Sequence, residues 1–389
     1  MKKNGILLFF LLLSICSDAA FIHRDGKLLR DKSNDPVLLR GVNLGGWLLW
    51  EGWIWGGKFT AQSAIQKNIS AAAGEKNAAD FRDYVYRNFI GEADIRAISE
   101  MGLNVVRVPF NNRIFDTAQC NAIGWQVLDS LLSWCAKYHV YAVLDMHGAP
   151  GGNSPYFTAD PEKPDLWKSE KDKQRTVDLW KRIAARYKDN ETVAGYDLLN
   201  EPIPASDADL TALYERIISA IRSVDKNHCL FVEGSSFAKK FTMFTSLPDE
   251  NMCFSFHIYT WFGGKPADKM DDFVSLENRL NVPIWCGEWG ENNYDVITQT
   301  RNALEEKQNG FSGWCFWTWK KIPNGYATLC AVEMDETWKP FITWCCKPSK
   351  KNTPSAQTAN DELKKFEESM LFRNCRIDTN LRKILEVTR

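Results

Sequence analysis

An excess of charge of either sign is missing from this sequence. Its 48 Lys and Arg stand against 49 Asp and Glu, a formal net charge of −1 over 389 residues. No basic patch or stripe is visible, which excludes the usual electrostatic footprint of a nucleic-acid binder. Neither GxGxxG nor the phosphate-loop pattern occurs, so neither glycine-rich pyrophosphate cradle is available. Only 5 His are present and none lies in HExxH, the pattern of a zinc hydrolase helix. GxSxG, the nucleophile elbow of serine esterases, is absent too. No cysteine pair has zinc-ligand spacing, and no short-period internal repeat is found.

Long apolar runs are also scarce. The run at 6–15 is too short to span a bilayer comfortably. It lies in MKKNGILLFFLLLSICSDAA (1–20), behind two lysines and ahead of small residues. That is the shape of a secretory signal peptide, with cleavage expected near Ala19 or Ala20. The expectation is a leader over 1–20 and one domain over 21–389, secreted to the extracellular space or periplasm, monomeric and free of the membrane after cleavage. Cys16 would leave with the leader, and the other ten of the 11 cysteines could pair in an oxidising compartment. A few disulfides at most are expected. Cys253, Cys286 and Cys315 sit in apolar strand-like runs, where a free Cys is a small hydrophobe.

What is plentiful is short apolar runs separated by amphipathic stretches. FIHRDGKLLR (21–30) reads as two strands around an Asp25-Gly26 turn. Eight strand-like runs follow: LLRGVNL (38–44), LNVVRVPF (103–110), VYAVLDMH (140–147), VAGYDLL (193–199), CLFVEG (229–234), MCFSFHIY (252–259), VPIWCGE (282–288) and GWCFWTW (313–319). Between most of them lie helical patterns, at 92–102, 124–138, 174–187 and 207–224. Eight βα units with near-continuously apolar strands predict a closed (β/α)8 barrel of the TIM type. KPSKKNTPSAQTAN (347–360) reads as a surface loop. DELKKFEESMLF (361–372) reads as a last helix returning to the barrel on Leu363, Phe366, Met370 and Leu371.

Catalytic groups of such barrels project from the C-terminal strand ends. Here those ends carry Asn43 with Glu51 beyond it, Arg107, Asp145 and His147, Asn200-Glu201, Glu233, His257 and Tyr259, Glu288, and Trp317 with Trp319. Polar and aromatic groups from eight strands therefore converge on one face. Glu201 and Glu288 end strands 4 and 7, nearly opposite across a narrow barrel. Two such carboxyls can flank one glycosidic bond.

At this point the chain resembles glycoside hydrolase family 5, in the clan of retaining barrel glycosidases, over nearly all of its mature length. YDLLNEPIP (196–204) is similar to the family's acid/base segment and WCGEW (285–289) to its nucleophile strand. The resemblance implies Glu201 as acid/base and Glu288 as nucleophile, with Asn200 on the sugar 2-hydroxyl. It implies that Arg107 holds the nucleophile ionised, and that His147, His257 and Tyr259 surround the cleaved sugar. Trp317 matches the aromatic floor, with Trp319 as a second candidate. RGVNLGGWLLWE (40–51) resembles the exo-β-1,3-glucanase-like branch, where a Glu at the place of Glu51 anchors the terminal glucose. Trp50, Trp53 and Trp55 follow, either lining the sugar path or packing as loop core. The implied activity is retaining hydrolysis of β-linked glucose-containing saccharides, without metal or other cofactor. Mannan, xylan-type or glucosyl-lipid substrates are alternatives, as is a non-catalytic carbohydrate-binding barrel.

Overall fold

Eight short, almost wholly buried strands close into a parallel barrel. The computed structural model describes residues 21–388, apart from 117–120, 164, 262, 307–309 and 326. The expected leader and Cys16 lie outside the described residues. The barrel strands are β1 (Leu39–Asn43), β2 (Val105–Asn111), β3 (Tyr141–Gly148), β4 (Val193–Asp197), β5 (Cys229–Glu233), β6 (Met252–Ile258), β7 (Ile284–Trp289) and β8 (Gly313–Phe316). Each pairs in parallel with its sequence neighbours, and β8 closes on β1. All eight expected strands are present. β4 stops at Asp197, so Leu198 and Leu199 lead out of the ladder rather than continuing it.

The helices pack outside this cylinder. They are α1 (Gln62–Ala73), α2 (Glu75–Asn88), α3 (Glu92–Glu100), α4 (Asn121–Lys137), α5 (Glu170–Tyr187), α6 (Asp207–Arg222), α7 (Asp271–Leu280), α8 (Tyr294–Glu305), α9 (Trp338–Cys346), α10 (Ala356–Ser369) and α11 (Thr379–Leu385). Serine side chains start three of them: Ser169 accepts from Asp172 N–H, Ser206 from Asp209 N–H and Ser355 from Thr358 N–H, each satisfying an otherwise orphan helix donor. The inside of the barrel is a separate core. Leu39, Val105, Val143, Ala194, Phe231, Trp285 and three cysteines, Cys229, Cys253 and Cys315, fill it. The hairpin His23–Asp25 with Leu28–Arg30 adds Ile22 and Leu29 to that same cluster.

Three details go beyond the sequence reading. All nine described cysteines are free, so no disulfide occurs among them. α10 begins at Ala356, where Ser355 caps it, five residues before the apolar stripe alone would place it. Its first turns are polar because they face water, which made them read as loop. A small sheet of β9 (Lys320–Lys321), β10 (Cys330–Val332) and β11 (Cys375–Ile377) lies outside the barrel and was not anticipated. Its strands are too short to show a period.

α10 does return to the barrel. Phe366 stacks on Trp338 at 4.8 Å, and meets Trp55 at 5.0 Å and Phe81 at 5.9 Å. Phe366→Ala should therefore lower the unfolding free energy by about 3–5 kcal/mol, read from denaturant titration. Phe366→Leu should cost clearly less.

Candidate active site

Side chains two residues apart on a strand share a face. Val105 and Cys253 lie inside the barrel, and so do Arg107, Ser255 and His257 further along. Phe231 leads in the same way to Glu233, and Val143 to Asp145 and His147. The apolar interior thus changes to a polar layer as each strand approaches its C-terminal end. Gly287 lets β7 approach β6 closely: a Cβ there would lie 2.4 Å from Ser255 Oγ.

Arg107 is the hub. It is fully buried, and its Nη1 donates to Glu288 Oε1 at 2.7 Å. Its Nε donates to Asp197 Oδ2 at 2.8 Å. Its Nη2 donates to Asn200 Oδ1 at 2.9 Å and Glu233 Oε1 at 3.0 Å, with Asp145 Oδ2 at 3.1 Å. Tyr259 Oη donates to the other oxygen of Glu288 at 3.0 Å. Both Glu288 oxygens are therefore served.

Glu201 is held differently. Its backbone is left-handed, with φ 42°, a conformation that costs a non-glycine residue about 1–2 kcal/mol. Its N–H donates to Glu233 Oε2 at 2.6 Å. His257 Nδ1 lies 2.9 Å from Glu201 Oε1, and its Nε2 lies 3.2 Å from Glu233 Oε1. Donor atoms of Glu201, His257 and Glu288 all fall within 4.8 Å of one another.

His147 stacks on Trp317 at 5.4 Å with 14° between the planes. Its Nδ1 donates to Asp145 Oδ2 at 2.7 Å, leaving Nε2 to accept from Asn200 Nδ2 at 3.3 Å. Glu51 Oε2 accepts from Trp53 Nε1 at 2.6 Å. Its buried Oε1 has no hydrogen-bond partner and lies 4.0 Å from His147 Nε2. Eight of the sequence-derived site residues, together with Glu51, thus form one cluster. Trp319 does not join it. Its indole donates to Asp94 at 2.8 Å and faces Phe372 on the outer side. Trp50 and Trp55 are core residues as well, packed on each other and on Phe81. Of the three loop tryptophans only the half-buried Trp53 touches the cluster.

Two cations, Arg107 and His257, face six carboxyl groups in a buried volume. Such an imbalance is relieved by protonation. Burial pushes Glu51 and Asp145 each up to about 8, and Asp197 well above the usual carboxylate range. Burial also resists charge on Glu233, but His257 and Arg107 beside it hold it low. His257 is buried too, yet Glu233 and Glu288 keep it protonated, well above the ordinary imidazole range. His147 also faces Glu288, but there burial, joined by the Arg107 charge, outweighs the carboxyls and takes it down to about 4, so it is neutral. Glu288 departs from expectation. Burial raises it above its ordinary value despite His257, Arg107 and His147, so Arg107 alone does not hold it low. An ion shared by Glu201, His257 and Glu288 would have to displace the proton that Glu233 and Glu288 hold on His257.

Asp197 escaped notice in the sequence, and Asn43, Asp145 and Glu233 were noted there without a role. The signal was present: each is a polar residue on the barrel-facing side of an apolar strand.

A family model described as Cellulase (glycosyl hydrolase family 5) matches residues 63–322. The chain belongs to glycosyl hydrolase family 5. As a family 5 protein it is a glycosidase, hydrolysing O-glycosyl bonds. A beta-xylosidase of Phanerodontia chrysosporium is 30% identical over 366 residues, spanning 83% of this chain and 75% of that protein. A probable glucan 1,3-beta-glucosidase A of Emericella nidulans is 25% identical over 381 residues, spanning 82% of this chain and 91% of that one. Among solved structures, an endogalactoceramidase superposes with a TM-score of 0.60 at 17% identity, covering 88% of this chain and 84% of its own. At that identity the likeness of the family 5 chain to it is one of fold.

The Glu51 carboxyl gives a stability test. Its folded value, about 8, lies above the ordinary 4.5. The folded state therefore binds more protons than the unfolded between these values, and stability falls as pH rises through them. Glu51→Gln keeps the shape and removes the titration. Relative to that variant, the wild type should lose on the order of 1 kcal/mol per pH unit between pH 5 and 8. Chemical denaturation at four pH values reads the difference.

Proposed function

We propose that this glycosidase is a retaining β-glycosidase acting on β-linked glucose-containing saccharides. The observation that carries the reading is the spacing of its two carboxyls. An oxygen of Glu201 and one of Glu288 lie within 4.8 Å. Retaining enzymes hold their carboxyls about 5–5.5 Å apart, whereas inverting ones leave room for a water.

In this reading Glu288 attacks the anomeric carbon as Glu201 gives its proton to the leaving oxygen. The bond from Glu288 to the sugar forms while the glycosidic bond breaks. Water then enters, Glu201 takes its proton, and the glycosyl–Glu288 bond is cleaved with a second inversion. Arg107 and Tyr259 each donate to one oxygen of ionised Glu288. Protonated His257 donates through Nδ1 to Glu201 Oε1 at 2.9 Å, which leaves the other oxygen of Glu201 to carry the proton it delivers. Neutral His147 and Arg107 fix the Asn200 amide from both sides, aiming it for the sugar 2-hydroxyl. Trp317 floors the cleaved sugar, in place of Trp319. The unpartnered Glu51 Oε1 is a ready partner for a hydroxyl of a terminal sugar, which favours attack at a chain end. No step calls for a metal or other cofactor. The leader-like first twenty residues support export, and the chain is taken to act as a monomer.

The relative named as a glucan 1,3-beta-glucosidase supports glucose. The relative named as a beta-xylosidase supports a second reading, release of xylose. The two sugars differ by the exocyclic hydroxymethyl group, so kcat/KM on aryl β-glucoside and aryl β-xyloside separates them.

Glu288→Ala should abolish turnover of both aryl glycosides while circular dichroism stays native; normal turnover would end the reading. NMR of the first product should show the β-anomer, and an initial α-anomer would mean inversion. Glu201→Ala should lose about 10²–10⁴-fold on substrates with poor leaving groups and far less on activated ones. Azide should then trap a β-glycosyl azide.

A further inference from the structure

The segment after β8 carries two consecutive lysines, Lys320 and Lys321, which form β9 and are both buried, at 0% and 3% exposure. A lysine is almost never fully buried unless something offsets its charge. Lys320 has an acid. Its Nζ lies 2.7 Å from Asp94 Oδ1 and donates to the carbonyls of Phe89 at 2.7 Å and Met370 at 3.1 Å. Lys321 points to the opposite face of the strand and meets an aromatic ring. Its Nζ lies 5.2 Å from the centre of the Trp53 ring. Burial takes that ammonium down to about 7, and the negative face of an indole attracts the charge that burial resists.

β8 and β1 are neighbours in the barrel, and the segments that follow them are fastened together here. Ile322 N–H donates to the Ile54 carbonyl at 2.9 Å, and Asn324 Nδ2 to the Trp53 carbonyl at 2.6 Å. The backbone of Trp53 is thereby fixed, while Lys321 meets its ring. On the active-site side the same ring serves Glu51. Its Nε1 donates to Glu51 Oε2 at 2.6 Å, the one hydrogen bond of that carboxyl among the described residues. The other oxygen of Glu51 is buried without a hydrogen-bond partner. A carboxyl held by one bond can swing about it, so the indole N–H decides where the unpartnered oxygen points. A methionine in place of Lys321 would fill similar space at a lower desolvation cost. Packing alone does not account for a cation there.

We propose that Lys321 is a positioning residue for the terminal sugar. Its ammonium holds the Trp53 ring, and the N–H of that ring holds the Glu51 carboxyl. The unpartnered oxygen of Glu51 is thereby aimed at a hydroxyl of the sugar at the chain end. Lys321 acts through Trp53 and not on the reacting atoms. The inference rests on Glu51 as the partner of that sugar, as proposed above.

The test uses the full chain and the two aryl glycosides. On the better substrate, Lys321→Met should lower kcat/KM about tenfold, mostly through a higher KM. Its thermal midpoint should equal or exceed that of the wild type, which a merely structural lysine would not allow. Lys321→Arg keeps a cation able to lie on the ring and should recover most of the loss. Trp53→Phe keeps a ring for the ammonium but removes the N–H. In that background Lys321→Met should change kcat/KM by less than about twofold. An unchanged kcat/KM in Lys321→Met overturns the proposal, and so does an equal loss with and without the Trp53 N–H. A Lys321→Met chain that fails to fold makes the lysine structural and overturns it as well. Glu51→Ala separates this inference from the reading beneath it. If kcat/KM survives in Glu51→Ala, the terminal-sugar reading fails and takes Lys321 with it. If it falls there but not in Lys321→Met, the role of Lys321 alone fails.

Discussion

One guanidinium at the centre of the barrel mouth sets the geometry of everything around it. Arg107 lies within 3.1 Å of four carboxyl groups, contributed by β3, β4, β5 and β7. A buried charge cluster of this kind is poor evidence for stability, because desolvation consumes most of what attraction returns. Its value is positional. Five planar N–H donors in a fixed fork tolerate one arrangement of acceptors, so five strands of the barrel are registered to each other at the level where Glu288 sits. Lysine, a point charge on a flexible stem, could balance some of the charge but not dictate that arrangement.

Two histidines show how far the neighbourhood decides chemistry. His147 and His257 are equally buried and a few ångströms from the same carboxyls. His257 has Glu201 on one nitrogen and Glu233 on the other, and remains a cation. His147 gives one nitrogen to Asp145, turns the other to an amide and lays its face on Trp317, and is neutral. One histidine therefore carries a proton beside Glu201, while the other orients Asn200 without bringing charge.

Much of this was legible in the chain. Continuous apolar runs ending in single polar residues located all eight barrel strands, because a strand buried on both faces leaves no other place for a carboxylate. The two glutamates and their partners were legible for the same reason. Tryptophans were not. Trp50, Trp55 and Trp319 sit in segments as rich in turns and polar residues as Trp53 and Trp317 do, and only the fold decides which rings turn inward to the helices. Protonation was the least legible property. Arg107 beside Glu288 pointed to a low carboxyl, but three further acids share that same cation, and their presence is a fact of three dimensions. Glu233 showed the reverse: it stands in the same crowd and is held low by His257 and Arg107 together with the Glu201 N–H that donates to it.

The far end of the barrel has its own consequence. The N-terminal hairpin places Ile22 and Leu29 against the interior cluster of Leu39, Val105, Val143 and Trp285, closing the cylinder below the polar layer. The barrel is thus a blind well with a single rim. A saccharide cannot thread through it, so reactant, water and both fragments must share one opening, and the piece seated deepest leaves last.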